Sequence, residues 1–336
     1  MNLPLADVNV AEATLVQIAK AIVIFVLILQ IVPLILLLER KLLGRFQARY
    51  GPNRVGPRGL LQPLADVLKL ASKEHSTPAT AVPWMMAIAP VISITTAVAT
   101  LAVIPFGPVG AWGGELGLYG IDVSIGLLYF FAFGALAFYA LMLGGWASGS
   151  KYSFLGSMRS AAQLVSYEVA LGLSLLGVAM TAGSLSLVEI VEAQDGVWFV
   201  VPQLVGFLIF MVAGFAESAR APFDLPEADA EIVAGYNTEF GGMRFGSFFM
   251  AEYIEVIVIS GVATACFLGG WHGPGPEYLA PLWVVLKMFA FVVLFIWVRA
   301  TLPRLRYDQL MSFGWKILLP LAMLNVLVTA IVVVVT

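Results

Sequence analysis

Glu217–Phe245 reads ESARAPFDLPEADAEIVAGYNTEFGGMRF and joins two long apolar segments, at about 198–216 and 246–268. Two further acids, Glu252 and Glu255, lie inside the second apolar segment. Carboxylates at membrane depth are costly, usually face a bundle interior or water, and often mark ion or proton paths. A solvated acidic loop is the alternative interpretation, but it leaves the acids inside the apolar segments unexplained. The six acids of the stretch itself are Glu217, Asp224, Glu227, Asp229, Glu231 and Glu239.

The composition around this stretch is that of a membrane protein. Of the 336 residues, 60% are hydrophobic and 12% are charged, whereas a soluble domain has about 25% charged residues. We therefore predict an all-α polytopic membrane protein with a single integral membrane domain, 1–336. The one cysteine, Cys266, excludes a disulfide within the chain and a cysteine-ligated iron–sulfur cluster. The two histidines lie far apart and predict no metal site, and we expect no nucleic-acid partner.

Eight segments are long and apolar enough to cross a bilayer, which takes about 20 residues in a helix. The connectors between them differ sharply in charge. Connector 39–81 carries eight lysines and arginines, and connectors 146–160, 218–247 and 302–311 carry two each, whereas the other three carry none. The positive-inside rule therefore predicts that the basic connectors are cytoplasmic and that both termini lie on the outer side. The predicted spans are 15–38, 82–104, 123–145, 161–181, 198–217, 248–269, 281–301 and 312–335.

The cytoplasmic loop 39–81 contains a helical pattern that is too short and too charged to span. Apolar residues recur at helical spacing from Leu60 to Lys73, and Asp66 and Lys69 share the opposite face. We expect an in-plane amphipathic helix with its apolar face toward lipid. The pattern alone leaves open whether this helix is only a surface anchor or also the wall of a cavity. The second large connector, 218–247, is predicted to be an acidic cytoplasmic loop.

Glu168 and Lys287 are further charged residues that lie within predicted spans. Glu168 follows Gln163, Ser166 and Tyr167 in the fourth span, and a glutamate facing lipid would be expensive, so it is expected to face other helices. A proton-relay role is the favoured hypothesis, and a structural hydrogen bond is the alternative. Lys287 in the seventh span either pairs with an acid or extends its ammonium outward to the membrane surface, and the sequence does not distinguish the two.

Four long motifs resemble one family. They are ERKLLGRFQARYGPNRVGPRGLLQPLADVLKL (Glu39–Leu70), GWASGSKYSFLGSMRSAAQLVSYEV (Gly145–Val169), ESARAPFDLPEADAEIVAGYNTEF (Glu217–Phe240) and WVRATLPRLRYDQLM (Trp297–Met311). Together they resemble the quinone-site membrane subunit of respiratory complex I, NADH:quinone oxidoreductase, which is called the H subunit in bacteria and subunit 1 in mitochondria. The resemblance covers nearly the whole chain.

The resemblance implies a part in a proton-pumping complex rather than an enzyme acting alone. Quinone is the implied substrate, and it receives electrons from partner subunits that hold FMN and iron–sulfur clusters. The implied partners are the other complex I subunits of the peripheral arm and of the membrane arm, together with the lipid bilayer. The implied location is the bacterial inner membrane, or the mitochondrial inner membrane in a eukaryote.

The resemblance also implies site residues at matching positions, with no catalytic group and no metal ligand among them. Some relatives carry a further acid in the third span, whereas this sequence has none between Asp122 and Glu168. The middle of the implied path is therefore open, and Tyr129 or Tyr139 with water is one way to bridge it. The quinone tunnel set is Arg40, Asp66, Arg220 and Phe223. The proton path set is Glu39, Glu168, Glu217, Glu227, Asp229, Glu231 and Glu252.

Two other functions are compatible with parts of the sequence. A subunit of a membrane-bound hydrogenase or formate-hydrogen lyase shares the architecture but needs no quinone tunnel, and the amphipathic segment and proline-rich first loop favour quinone. A stand-alone secondary transporter is expected to bind substrate at the midplane near broken helices. The acids of this chain instead concentrate at the predicted cytoplasmic end of the spans.

Overall fold

A computed structural model describes residues 10–74, 76–108, 118–226 and 229–335. These residues form helices and loops, and no strand occurs among them. The helices are α1 (Val10–Phe46), α2 (Gln62–Ser72), α3 (Pro83–Leu101), α4 (Gly126–Ala147), α5 (Lys151–Ala182), α6 (Leu187–Glu192), α7 (Leu204–Glu217), α8 (Asp229–Ile232), α9 (Gly242–Phe267), α10 (Ala280–Thr301), α11 (Tyr307–Phe313) and α12 (Leu319–Val335).

The predicted class, an all-α polytopic membrane protein, is confirmed. Within the described part of the chain, six helical segments are long and apolar enough to cross a membrane. They contain α3, α4, α5, α9, α10 and the continuous pair α11–α12. The first predicted span, 15–38, lies within α1. The predicted count of eight is not established, because the fifth span differs from expectation.

The fifth predicted span, 198–217, contains a helix of only 14 residues, α7. At 1.5 Å per residue this helix is about 21 Å long, shorter than the ~30 Å hydrocarbon core. Residues 198–203 form turns instead, and the Gln194 side chain satisfies part of their backbone. Its Oε1 accepts hydrogen bonds from the backbone N–H groups of Phe199 (3.2 Å) and Gly269 (2.9 Å). Irregular backbone at this depth is tolerated where protein groups pair with it.

Two other helices extend further into the connectors than predicted. α1 continues to Phe46, so the first part of the 39–81 loop is helical. α5 begins at Lys151, ten residues before the predicted start of the fourth span, 161. Serines and glycines line its first turns, and several of them are buried against neighbouring elements. The hydropathy pattern of this segment indicates a loop, but its small polar residues lie in a packed helix.

α2 confirms the predicted short amphipathic helix, with bounds of Gln62–Ser72. Leu64, Val67 and Leu68 are exposed on its apolar face. Because α2 packs against α1 and α9, it is held beside the spanning helices rather than apart from them. Its orientation relative to the bilayer stays a prediction.

α9 is the central helix of the fold. Its residues from Val256 to Phe267 are all buried. α3, α7 and α10 pack around it, and α1, α2 and α6 add further contacts. Since α9 also carries Glu252 and Glu255, these acids lie in the interior of the bundle rather than on its lipid-facing side.

Candidate functional site: a series of polar cavities

The close approach of α7 and α9 places carboxyl groups opposite one another. Gly214 permits the approach, because a Cβ atom added there would lie 2.6 Å from Cγ2 of Ile259. Glu217 follows Gly214 by one turn at the end of α7, and Glu255 precedes Ile259 by about one turn on α9. Glu252 lies three residues before Glu255 and therefore on the same side of α9.

Two adjoining cavities connect these carboxyl groups to α5. The Glu252 cavity has a volume of about 30 Å³ and is lined by Glu252, Glu217 and Glu255, with Tyr236 at its wall. The Glu168 cavity, also of about 30 Å³, is lined by Glu168 and again by Glu217 and Glu255. A cavity of roughly 10–15 Å³ is enough to hold a water molecule. Both cavities are therefore large enough for water, and Glu217 and Glu255 border both.

Glu217 has a buried carboxylate oxygen, Oε2, without a hydrogen-bond partner among the described residues. Buried polar atoms in proteins nearly always have a partner, which is water where no protein group serves. A water molecule in either adjoining cavity is the natural partner for this oxygen. The carboxyl group is therefore suited to exchange protons through water.

Arg220 lies between the Glu252 cavity and a further cluster of polar side chains, which surrounds Glu39. Its Nη2 lies 3.4 Å from Oε2 of Glu252, and both side chains are about nine-tenths buried. Its guanidinium carbon lies 4.1 Å from the ring centroid of Tyr253, a cation–π geometry. A buried ion pair is stable only where good geometry and further contacts offset the loss of hydration of its two charges. The contacts of Arg220 therefore indicate a polar region inside the bundle.

The further cluster of polar side chains surrounds Glu39, which is 5% exposed. Tyr253 donates a hydrogen bond of 2.5 Å to Glu39 Oε2, and Arg299 forms an ion pair with Oε1. Glu39, Arg220, Tyr253 and Arg299 line a cavity of about 20 Å³, the Glu39 cavity. Polar groups thus follow one another from α1 and α10, across α9, to Glu168 on α5.

Arg40 and Asp66 form an ion pair of 2.5 Å that joins α1 to α2. Asp66 also accepts a hydrogen bond of 3.0 Å from the Gln62 amide. The exposed fractions of the two side chains are 42% and 25%, so the pair lies at the surface between the two helices. This contact is consistent with the prediction that Arg40 and Asp66 both belong to the quinone tunnel. Their role in the tunnel stays a prediction.

Phe223 lies away from that pair, against α5. It is buried, and its ring packs on Tyr167 with centroids 5.8 Å apart. Gln163 donates hydrogen bonds of 2.7 Å to the carbonyls of both Phe223 and Ala216, the residue before Glu217. Gln163 therefore holds the loop after α7 against α5.

The acidic connector is only partly described. Glu231 forms an ion pair of 2.5 Å with Arg159, and its side chain is 44% exposed. This contact places Glu231 at the surface end of α5 rather than in the cavities described above. Glu227 and the side chain of Asp229 lie outside the described residues.

Comparison with known proteins assigns the family. The model of a protein family described as NADH dehydrogenase matches residues 19–330. The chain belongs to this family.

Named relatives of the NADH dehydrogenase family agree over nearly the full length. The NADH-quinone oxidoreductase H subunit 1 of Geobacter metallireducens is 52% identical over 316 residues, 94% of this chain and 95% of the relative. The H subunit 2 of Geobacter sulfurreducens is 54% identical, covering 93% of this chain and 94% of the relative. The H subunit 2 of Syntrophobacter fumaroxidans is 49% identical, covering 96% and 97%. The family resemblance is therefore confirmed, and these names give no support to a hydrogenase subunit or a transporter.

Three cavity residues of this NADH dehydrogenase family member are not among the site residues predicted from its sequence. They are Glu255, Arg299 and Tyr253. Glu255 was visible as an acid in an apolar segment, but it matched no implied path position. Arg299 lies near the end of an apolar segment, where a basic residue is common and predicts no site, whereas it pairs with buried Glu39. Tyr253 gave no signal beyond its place next to Glu252. Only the packing of α1 and α10 against α9 brings these residues together.

Lys287 resolves the two alternatives left open by the sequence. Its ammonium donates hydrogen bonds to the carbonyls of Leu268 (2.7 Å), Gly270 (2.9 Å) and His272 (2.7 Å). It also lies 4.5 Å from the ring centroid of Trp198. The side chain thus extends toward the turn after α9, and it forms no ion pair with an acid among the described residues.

Proposed function

We propose that this chain is a membrane subunit of a proton-pumping NADH:quinone oxidoreductase. In that role it helps to form the quinone-binding tunnel and couples quinone reduction to proton translocation. The observation that carries the proposal is the series of polar groups from Glu39 to Glu168. They lie along two adjoining cavities and a third cavity, which the contact of Arg220 with Glu252 links to them. The names of the relatives supply the reaction, and this series supplies a physical means of coupling.

The coupling follows from electrostatics. Reduction of quinone consumes electrons and protons, so the charge near the quinone headgroup changes during the reaction. Close carboxyl groups in a poorly solvated interior influence one another's protonation strongly. A change of charge at the end of the series near Glu39 and Arg220 therefore alters the protonation of Glu252, and through it that of Glu217 and Glu168. The acids nearer the surface, Glu227, Asp229 and Glu231, are proposed to supply protons to the same series.

The quinone has a polar head and a long apolar tail, so its binding site has to combine polar groups with apolar walls open to lipid. α2 offers exposed leucines beside the polar pair Arg40–Asp66, at the junction with α1. We place the tunnel mouth there, with Arg220 deeper in the bundle. Phe223 contributes by fixing the loop that carries Arg220. With a single cysteine, the chain cannot hold a cysteine-ligated iron–sulfur cluster, and we assign FMN and the iron–sulfur clusters to partner subunits of the peripheral arm.

The proposed orientation follows the distribution of basic residues. Loops 39–81 and 218–247 face the cytoplasm and contact the peripheral arm, and both termini lie on the outer side of the bacterial inner membrane. The antiporter-like subunits of the membrane arm adjoin the opposite end of the carboxyl series.

Purification tests the proposal directly. An affinity-tagged chain, extracted in mild detergent, is expected to bring with it a flavoprotein and several iron–sulfur subunits, and the preparation is expected to reduce quinone with NADH. Proteoliposomes made from it should develop a pH difference across their membrane when NADH is added. Recovery of the chain alone, or with a hydrogenase and without NADH:quinone activity, would contradict the proposal.

A further inference from the structure

Glu255 occupies the point where the two carboxyl-lined cavities meet. It borders both the Glu252 cavity and the Glu168 cavity, and Glu217 is the other acid that does so among the described residues. The charge of Arg220 acts on it electrostatically, but no direct hydrogen bond or ion pair ties Glu255 to another described residue. An acid that only held helices together would be tied to a partner, since burying an unpaired polar group destabilises a fold. Glu255 therefore calls for a role other than structural pairing.

The α4 wall of these cavities offers no ionisable group that could serve instead, because neither Tyr129 nor Tyr139 is among the residues that line them. α4 contributes phenylalanines and small residues to the Glu168 cavity, among them Phe130, Gly134 and Ala137. The segment 123–150, which contains α4, has no acid and no base. The acids that face the cavities come from the other sides: Glu168 from α5, Glu217 from α7, and Glu252 and Glu255 from α9.

We propose that Glu255 is a proton carrier of this chain, which passes protons between Glu252 and Glu168 together with Glu217. The proposal rests on the proposed function and adds a residue to its path. In each transfer, a protonated carboxyl group gives its proton to a water molecule in the shared cavity while that water gives a proton to the next carboxylate. One O–H bond breaks and one forms at each end, so the transfer needs no other reactant.

The position of Gly134 allows this inference to be tested by moving the carboxyl group. Gly134 borders both cavities from the α4 side, and a Cβ atom added there would meet no heavy atom within 4 Å. A glutamate at position 134 can therefore reach the same cavities from the opposite wall. If the path needs a carboxyl group at this place, and not Glu255 as such, the transplanted acid restores it.

The experiment compares assembled complexes in proteoliposomes, with the rate of quinone reduction and the rate of proton translocation as readouts. Glu255→Gln is expected to lower both rates by about tenfold, less than the ~10²–10⁴-fold typical of a lost acid–base group, because Glu217 still borders both cavities. Glu255→Asp, which keeps the carboxyl group, should retain most of both. The double variant Glu255→Gln with Gly134→Glu should recover both relative to Glu255→Gln. Glu277→Gln, the same change at an exposed position, is the matched control and should behave as the unmodified complex.

Unchanged rate and stoichiometry in assembled Glu255→Gln would overturn the inference, as would equal loss in Glu255→Gln and Glu255→Asp without recovery in the double variant. Should Glu255→Gln not assemble, Glu255→Asp and Glu255→Asn are compared, and equal function of these two would overturn it. Glu217→Gln separates the inference from the proposed function. If Glu217→Gln stops pumping and Glu255→Gln does not, only the role of Glu255 fails, whereas normal pumping in both removes the path itself.

Discussion

Asp66 forms a surface ion pair that contributes little to stability, so its proposed role in the quinone tunnel can be tested separately from assembly. Its ion pair with Arg40 is partly exposed, and exposed pairs contribute about 0–1 kcal/mol to stability. Asp66→Asn should therefore leave assembly intact. If the pair shapes the tunnel mouth, loss of its charge-assisted hydrogen bond, of about 1.5 kcal/mol, should weaken quinone use by about tenfold.

The measurement for Asp66→Asn is the KM and maximal rate of NADH:quinone reduction with short- and long-tailed quinones. Asp195→Asn, the same acid-to-amide change at an exposed position in a different connector, serves as the matched control. Normal kinetics with both quinones in the assembled Asp66 variant would leave α2 as a surface anchor only.

Lys287 supports a different expectation, one for stability. Its three hydrogen bonds satisfy carbonyl groups in the turn after α9, so Lys287→Met leaves them without those donors. The cost is expected to be about 1–3 kcal/mol. The assembled complex should therefore lose NADH:quinone activity at a lower temperature, while its rate before heating stays close to normal. Lys316→Met, at an exposed position, is the control. Equal inactivation temperatures for the two variants would show that the carbonyl contacts of Lys287 contribute nothing measurable.

At the scale of the helix, the approach of α7 to α9 is the contact on which the carboxyl arrangement depends. Gly214→Ala would bring a Cβ atom to 2.6 Å from Cγ2 of Ile259, so α7 has to move away. We expect lower assembly or a loss of quinone-linked pumping. The double variant Gly214→Ala with Ile259→Ala removes the clashing atom and should restore both. Gly172→Ala, where the nearest atom would lie at 3.6 Å, should be neutral. Normal assembly and pumping in Gly214→Ala alone would show that the close approach does not set the site.

The helices also show how far sequence patterns reach. Apolar length predicted most spans, and the spacing of apolar residues predicted α2. The break at 198–203 contains Pro202 and Gln203, but the apolar length of the whole segment favours one continuous span. Its turns depend on Gln194 and on residues far along the chain. The early start of α5 was missed because its serines and glycines are typical of loops unless a neighbouring helix packs on them.

At the scale of the whole molecule, the candidate site was predictable in part. The acids of α5, α7 and α9 could be picked out because carboxyl groups in apolar segments are rare. The pairing of Glu39 with Arg299 could not, since it joins residues 260 positions apart that carry no shared pattern. The position of Glu255 between the cavities could not be predicted either, because it depends on the packing of α5, α7 and α9 around one cavity.

The topology of the whole chain can be tested by accessibility of introduced cysteines. Lys151→Cys lies on the predicted cytoplasmic side and Asp195→Cys on the predicted outer side, and both positions are exposed. A membrane-impermeant thiol reagent should label Asp195→Cys in intact cells and Lys151→Cys only after the membrane is opened. The native Cys266 is buried and provides the unlabelled background. Labelling with the opposite pattern would reverse the proposed orientation.

The central claim is that carboxyl groups in the cavities couple quinone reduction to proton movement. Glu217→Gln keeps the shape of the side chain and removes its exchangeable carboxyl proton. The decisive measurement is the rate of proton translocation together with the rate of quinone reduction in proteoliposomes, with assembly and electron transfer to water-soluble acceptors measured in parallel. We predict an assembled complex with normal transfer to soluble acceptors, in which quinone reduction and pumping fall together because a blocked proton step stalls the electron step. An assembled Glu217→Gln complex with unchanged rate and unchanged stoichiometry would contradict the account.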